Sequence, residues 1–407
     1  MPSPIEDPHQ VAGIKHQGKN PKYGPVMRNA LCAPVEPCYS GNPMNITNEQ
    51  ILGALKAVKD PDLNRDIVDL GFVKEVKSCD GIVSFTIELT TPACPVREQL
   101  KKQAEDVVMG LGATKVDVKM TSQVRTNPGE NRMQMLPGVK NIIPVASGKG
   151  GVGKSTVSAN LALALQRMGA KVGLMDADVY GPSIPTIMGM SQAPQMKSDE
   201  KMSPAESHGV KIMSIGFFIK TEQAVVWRGP MLHKTIQKFL GGVEWGELDY
   251  LIVDLPPGTG DVQLSLCQII PLTGAAVVST PQDVALNVAQ KAISMFHQLN
   301  CPILGVIENM SGFECPKCGH HEDIFGQGGA KAAAERMNVP FLGAIPLETV
   351  IRTTADAGNP IVVSDPTSPA ARAFIQVAEN LAAQASIRAF KKEEAGSGVA
   401  QPLVWKS

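Results

Sequence analysis

A chain of 407 residues that is 43% hydrophobic and 19% charged can bury one large core or two domains, which excludes a disordered protein and a disulfide-stapled miniprotein. Its 38 basic and 39 acidic side chains leave a formal charge of −1, so no global field draws it to nucleic acid or to an anionic membrane. No run approaches the roughly 18 apolar residues of a membrane helix, the first residues lack a signal-peptide core, Glu6 and Asp7 argue against an import presequence, and irregularly spaced cysteines fit a reducing compartment, so a cytoplasmic protein is expected.

Residues 1–43 carry Pro2, Pro4, Pro8, Pro21, Pro25, Pro34, Pro37 and Pro43 with little apolar periodicity, and are expected to form a flexible arm. Thr47 and Gln50 then make a capping-box pattern, and Ile51, Leu52, Leu55 and Val58 give a helical stripe expected to run to Asp60-Pro61. Val83, Phe85, Ile87 and Leu89 alternate with Ser84, Thr86 and Glu88 as in a half-buried strand. A helix over 95–111 and a second alternating segment around Val116 and Val118 follow. These elements define a small α+β domain over 44–122, and the polar stretch containing Asn127-Pro128-Gly129 marks a linker, 123–137. Apolar runs then recur at 142–146, 172–175, 211–215, 251–253, 275–278, 303–307 and 341–345, without the alternation of a one-sided sheet. The segments between them, such as 283–299 and the helix opening at Ser368-Pro369, are long enough for crossovers. The expected fold class is therefore α/β, a doubly wound parallel sheet over 138–390, with a flexible tail at 391–407.

Directly after the first of those strands stands Gly148-Lys149-Gly150-Gly151-Val152-Gly153-Lys154-Ser155-Thr156, which satisfies G-x-x-x-x-G-K-[ST] and leads into an amphipathic stretch. The glycines let successive backbone N–H groups converge on phosphate oxygens, Lys154 neutralises the β and γ phosphates of ATP, Ser155 can ligate Mg²⁺, and the helix N-terminus adds its dipole. Asp176 and Asp178 follow one strand and Asp254 ends another, where open α/β sheets bind ligands. The loop after Asp254, Pro256-Pro257-Gly258-Thr259-Gly260-Asp261, could move on loss of a γ-phosphate.

Lys149 is not needed to cradle phosphate within one chain, and a solvated loop charge is its plain reading. The run from Lys149 to Thr156 nevertheless resembles the deviant Walker A loop of the MinD, ParA, nitrogenase iron protein and arsenite-pump ATPase group. The resemblance implies a homodimer in which Lys149 reaches the facing subunit's nucleotide, Asp178 places the hydrolytic water and Asp254 is the Walker B acid. It also sets Asn309 at the position that recognises adenine.

Cys315-Pro316-Lys317-Cys318-Gly319-His320-His321 lies in a polar loop after Asn309. Two thiolates at this spacing grip one edge of a metal, whereas tetrahedral zinc and cubane iron–sulfur clusters ask for four ligands. Two subunits meeting on a twofold axis would supply four cysteines for a bridging [4Fe–4S] cluster, while a zinc knuckle completed by His320 or His321 is the competing reading. Together with Asp176-Ala177-Asp178-Val179-Tyr180-Gly181-Pro182-Ser183, the loop 254–261 and Glu308-Asn309-Met310-Ser311, this motif resembles the Mrp/ApbC family of iron–sulfur cluster carrier ATPases over about 138–388. In that family Cys315 and Cys318 would be cluster ligands at the dimer interface, and the partners would be apo iron–sulfur proteins and cluster assembly factors rather than nucleic acid or membrane.

The amino-terminal segments Asp60-Pro61, Asp66-Ile67-Val68-Asp69-Leu70-Gly71 and Thr90-Thr91-Pro92-Ala93-Cys94-Pro95 resemble the small iron–sulfur assembly domain often fused ahead of bacterial Mrp proteins. Cys94, at a helix start, is either a dipole-activated thiolate or a buried, inert thiol. Cys32 and Cys38 sit in the arm, and Cys79, Cys267 and Cys301 fall beside apolar segments as packing residues. Two other functions compete with a cluster carrier. A MinD- or ParA-type positioning ATPase would need an amphipathic tail or a basic patch, which Lys391-Lys392-Glu393-Glu394 does not offer, and a zinc-stabilised scaffold would bind nucleotide without turnover.

Overall fold

The computed structural model describes residues 46–126, 136–190, 192–197, 201–218, 229–270 and 272–396; the arm with Cys32 and Cys38, most of the linker and residues 397–407 lie outside them. The first helix, α1 (Asn48–Leu55), opens on the expected reciprocal cap: the Gln50 N–H donates to the Thr47 hydroxyl at 3.2 Å, and the Thr47 N–H donates to Gln50 Oε1 at 2.9 Å. It stops earlier than the apolar stripe suggests. Val58 is buried outside the helix, its carbonyl accepts the Ile67 N–H at 3.0 Å, and Asp60 Oδ1 accepts the N–H groups of Asp62 and Leu63 at 2.9 Å, so this stretch turns back into the core.

A three-stranded sheet follows, β1 (Val73–Cys79), β2 (Ile82–Leu89) and β3 (Lys115–Ser122), with β1 antiparallel and β3 parallel to the central β2. The crossover from β2 to β3 is α2 (Arg97–Met109), which buries Leu100, Ala104 and Val108. Strand β1 escaped the sequence reading because it buries little and slips register against β2 between Lys74 and Lys77. Cys79, expected to pack, is instead exposed at its end.

The chain then enters β4 (Val139–Ser147), α3 (Lys154–Arg167) and β5 (Val172–Asp176), followed by the antiparallel pair β6 (Ala205–Ser207) and β7 (Val210–Ser214). After α4 (Gly229–Gly241) come β8 (Leu248–Asp254), α5 (Asp261–Ile269), β9 (Ala275–Ser279), α6 (Asp283–Gln298) and β10 (Ile303–Asn309). A short hairpin, β11 (Phe313–Glu314) with β12 (His321–Glu322), precedes α7 (Gly329–Arg336), β13 (Phe341–Ile345), α8 (Thr349–Asp356) and α9 (Pro369–Gly396). The large sheet runs β6-β7-β5-β8-β4-β9-β10-β13 and is parallel except at β6. Strands β5, β9 and β10 are buried throughout, which is why they read as unbroken apolar runs. Helices α3 and α9 cover one face, and α4, α5, α6 and α7 cover the other. No helix among the described residues is long and apolar enough to cross a membrane.

Helix α9 continues through residues 391–396, where a flexible tail was expected. Its Phe390 packs into the core formed by α1, α2 and the three-stranded sheet, under the guanidinium groups of Arg65 and Arg125 at 5.6 and 4.8 Å from the ring centre. Arg125 also pairs with Glu393. On the same boundary the hydroxyls of Thr91 and Tyr250 meet at 3.0 Å in a buried hydrogen bond, and Ala93 and Val124 join the core beneath β8.

Candidate functional site

Strand β4 is paired with β8 on one side and β9 on the other, so its carboxyl end opens at the middle of the sheet. The turn from β4 to α3 carries the glycine loop. Gly151 and Gly153 have φ of 79° and 78°, and a Cβ at Gly153 would run into the side-chain amide of Asn309. Asn309, at the end of β10, donates that amide N–H to the Val152 carbonyl at 2.7 Å. Its side chain thus closes the phosphate loop, a contact distinct from the adenine recognition expected of it.

Lys154 is buried at the start of α3, with Nζ 2.8 Å from Asp254 Oδ2 and 3.8 Å from Asp178 Oδ2. Ser155 Oγ donates to Asp254 Oδ2 at 2.6 Å, and Ser158 Oγ donates to Asp254 Oδ1 at 2.6 Å. The four residues expected to handle phosphate and metal, Lys154, Ser155, Asp178 and Asp254, are therefore in one cluster. Lys154, Ser155 and Asp178 line a cleft of about 690 Å³ together with Lys149, Thr156 and Asn309, and the fully buried Asp254 is held behind them by Lys154 and Ser155. Lys149 Nζ lies 3.4 Å from Gln282 Oε1.

Three supporting groups, Asp176, Ser158 and Glu308, have roles that the sequence did not assign, although Asp176 and Glu308 stand in motifs already noted. Asp176, fully buried, sits opposite Asp254 in the register of β5 and β8. Burial, then the neighbouring Asp254 charge, pushes its carboxyl up to about 7. Its Oδ1 accepts the Asp178 N–H at 3.1 Å and its Oδ2 accepts the Ser214 hydroxyl at 2.9 Å, so it fixes the turn that presents Asp178. Burial also raises the Asp178 carboxyl, against the opposing pull of Lys154. Ser158 is three residues beyond Ser155, a helical spacing that places both on Asp254. Glu308, fully buried, accepts the Gly328 and Ala330 N–H groups at 2.8 and 2.7 Å and the Ser311 hydroxyl at 2.5 Å, tying the chain after β10 to the N-terminus of α7.

The same sheet edge carries the cysteine motif. The hairpin of β11 and β12 is closed by the Cys315 N–H donating to the His320 carbonyl at 2.9 Å, and the Gly319 N–H donates to the Cys315 carbonyl at 2.8 Å. Backbone N–H groups of Lys317 and Cys318, then the Cys318 thiol, hold Cys315 below the ordinary thiol range. Cys318 is exposed. His321 Nε2 bonds Asp323 Oδ1 at 3.1 Å, and among the described residues no three His, Cys, Asp or Glu side chains converge as a metal site.

Cys94 stands elsewhere, in a small cavity with Asp60, Asp62 and Ser386. Helix α2 begins only at Arg97, and burial, then the charges of Asp60 and Asp62, pushes the thiol up to about 11. This direction is opposite to that of a dipole-activated thiolate, and the side chain is half-buried.

The family model described as the NUBPL iron-transfer P-loop NTPase matches residues 138–382, more than half of the chain. The chain belongs to this family. A second model, iron-sulfur cluster assembly protein, matches residues 48–120. The iron-sulfur cluster carrier protein of Synechocystis is 46% identical over 84% of this chain and 99% of its own, and that of Deinococcus radiodurans is 49% identical over 84% and 96%. The solved structure of a nucleotide-binding protein from Archaeoglobus fulgidus in complex with ADP is 40% identical, with a TM-score of 0.52, and covers 60% of this chain and 96% of that one. The α/β P-loop fold and the iron–sulfur carrier family read from the motifs are thus shown, and the same family places the chain among nucleotide-binding proteins.

Proposed function

We propose that the protein is an ATP-hydrolysing homodimer that carries a bridging [4Fe–4S] cluster and delivers it to apo-proteins in the cytoplasm. The observation that carries this reading is the half-site: each chain offers two adjacent thiols, Cys315 and Cys318, on a hairpin at the sheet edge that also holds the phosphate loop. A second copy on a twofold axis would complete the four ligands. The pairing of His321 with Asp323 speaks for this arrangement over a zinc knuckle within one chain.

In this reading ATP enters the cleft with its phosphates on the backbone N–H groups of residues 148–156. Lys154 moves from Asp254 to phosphate, and Lys149 reaches across to the facing nucleotide. Ser155 and Asp254 fit Mg²⁺, since both are hard oxygen donors and the Lys154 ammonium already occupies a cation's place against Asp254 at 2.8 Å; the bound ion would offset phosphate charge. Asp178, whose carboxyl burial raises, positions water. Gln263 on α5 holds the loop 254–261 by donating to the Pro256 and Gly258 carbonyls at 2.8 and 3.1 Å, so release of phosphate is felt at α5. The contact from Asn309 to Val152 links the phosphate loop to the strand that leads into the cysteine hairpin. We further propose the division 44–122, 123–137 and 138–390 as assembly-like domain, linker and ATPase, with Cys94 structural.

Anaerobic iron and sulfide loading, with iron, sulfide and zinc counted per dimer, tests the reading. One four-iron cluster per dimer is expected, lost in a Cys315→Ala, Cys318→Ala double variant. A zinc-bearing monomer without sulfide would overturn it.

A further inference from the structure

Glu308, fully buried near the end of β10, holds both ends of the loop that carries the two cysteines. The Ser311 hydroxyl donates to its Oε1 at 2.5 Å, the Gly328 N–H donates to the same oxygen at 2.8 Å, and the Ala330 N–H donates to its Oε2 at 2.7 Å. Cys315 and Cys318 lie between these anchors. The far anchor has no slack, because a Cβ at Gly329 would stand 2.2 Å from the Pro281 carbonyl oxygen. The near anchor is built into the wall of the cleft beside the phosphate loop. Met310 and Leu347 both line that cleft, the Leu347 N–H donates to the Gly312 carbonyl at 2.9 Å, and the Ser311 N–H donates to the Ile345 carbonyl at 2.9 Å. Met310 itself is held at a φ of 60°, in the left-handed region that residues other than glycine rarely occupy.

We propose that Glu308 is a positioning residue for the cysteine hairpin, and that nucleotide in the cleft steadies the hairpin through Met310 and Leu347 whether or not a γ-phosphate is present. The proposal takes from the carrier reading only that Cys315 and Cys318 are the working thiols. A ligand shifts a loop only by touching it differently in its two positions, and Met310 and Leu347 are where that touch falls, one just before the Ser311 anchor and the other bonded to Gly312 just after it. Both side chains are apolar, so they respond to the nucleotide's bulk, whereas the charge of a terminal phosphate is answered by Lys154 and the carboxylates around it. Glu308 converts that contact into a position for the thiols. With one carboxylate gripping both ends, the hairpin cannot drift at one anchor without straining the other.

The full-length protein, reduced and metal-free, is labelled without oxygen by N-ethylmaleimide and peptide-mapped, alone, with saturating Mg·ADP, or with a saturating non-hydrolysable ATP analogue and Mg²⁺. Initial labelling of Cys315 should slow by at least about threefold with either nucleotide, while the exposed Cys79 keeps its rate. E308Q, whose amide cannot accept from all three donors, should label Cys315 several-fold faster without nucleotide, and S311A, which frees only the near anchor, should shift it the same way. Both variants should bind fluorescent ADP within about twofold of the parent, and continued protection of the buried Cys301 shows that they are folded. M310A should label like the parent without nucleotide and lose the slowing at saturation. The parent's response to ADP needs no variant, so misfolding cannot imitate failure. A Cys315 rate that ADP leaves unchanged or raises, slowing by the ATP analogue alone, or E308Q and S311A labelling like the parent would overturn the proposal. Since the protein is metal-free throughout, failure to load a cluster would end the carrier reading and leave this one standing.

Discussion

At Gly153 a methyl group would meet both obstacles the phosphate loop is built around, a φ of 78° and the Asn309 amide. Gly153→Ala is therefore expected to weaken nucleotide binding by at least about tenfold, roughly 1.4 kcal/mol, as a fluorescent-nucleotide titration would read, while an Asn309→Ala chain keeps the fold and loses the clasp on Val152. The loop itself was legible because the residues that make it are contiguous. Asp176 was legible as a strand-end carboxylate but its role was not, since that depends on burial and on standing opposite Asp254 on the neighbouring strand, a juxtaposition no local pattern encodes. Its pKa of about 7 lies above the ordinary 3.8, so the folded state keeps a proton that the unfolded chain releases. This group's contribution to stability is present below about pH 4 and is lost as the pH climbs through about 7. Urea unfolding of the nucleotide-free protein should show lower stability at pH 8 than at pH 5, and Asp176→Asn should flatten that slope even though its amide serves the surrounding donors less well. A parent chain equally stable at both values would argue that the carboxyl is charged throughout.

Among the elements, the parallel strands and their crossover helices were legible because burial on both faces leaves a continuous apolar run. Strand β1 and the end of α1 were obscure for the opposite reason, one burying little and the other interrupted where Val58 is needed by the core rather than by the helix. The last helix is the instructive case. Residues 391–396 look like a polar tail in sequence, yet Phe390 and Glu393 are held by the smaller sheet's core and by Arg125, and this support carries the helix onward. Phe390→Ala should destabilise the protein by about 3 kcal/mol, the lower end for a buried phenylalanine, because the cationic groups of Arg65 and Arg125 lose their ring as well. The same substitution should raise the rate at which a thiol reagent labels Cys94, whose cavity is walled by Ser386 and Ile387 of that helix. Unchanged labelling would mean that the wall does not depend on Phe390.

The proposed cycle is a property of two copies. Sedimentation with a non-hydrolysable ATP analogue should shift the chain from monomer to dimer, and Lys149→Ala should abolish the shift while retaining most of the nucleotide affinity, since within its own chain the lysine's ammonium donates to Gln282 and not to the Lys154–Asp254 cluster. Lys154→Ala should lose both. If Lys149→Ala dimerised like the parent, the lysine would be an ordinary solvated loop charge. The dimer could be read only through resemblance, because a half-site within one chain says that ligands are missing and not where they come from.

The buried hydroxyl pair of Thr91 and Tyr250 bears on any attempt to dissect the chain. A fragment starting at the linker would leave the Tyr250 hydroxyl without its partner, strip the cover from Phe390 and wet the apolar patch that Ala93 now completes. Excised in this way, the nucleotide-binding portion would be prone to clump through a surface the intact polypeptide never shows. Its poor behaviour in a test tube would then reflect the cut rather than any need of its chemistry for the missing portion.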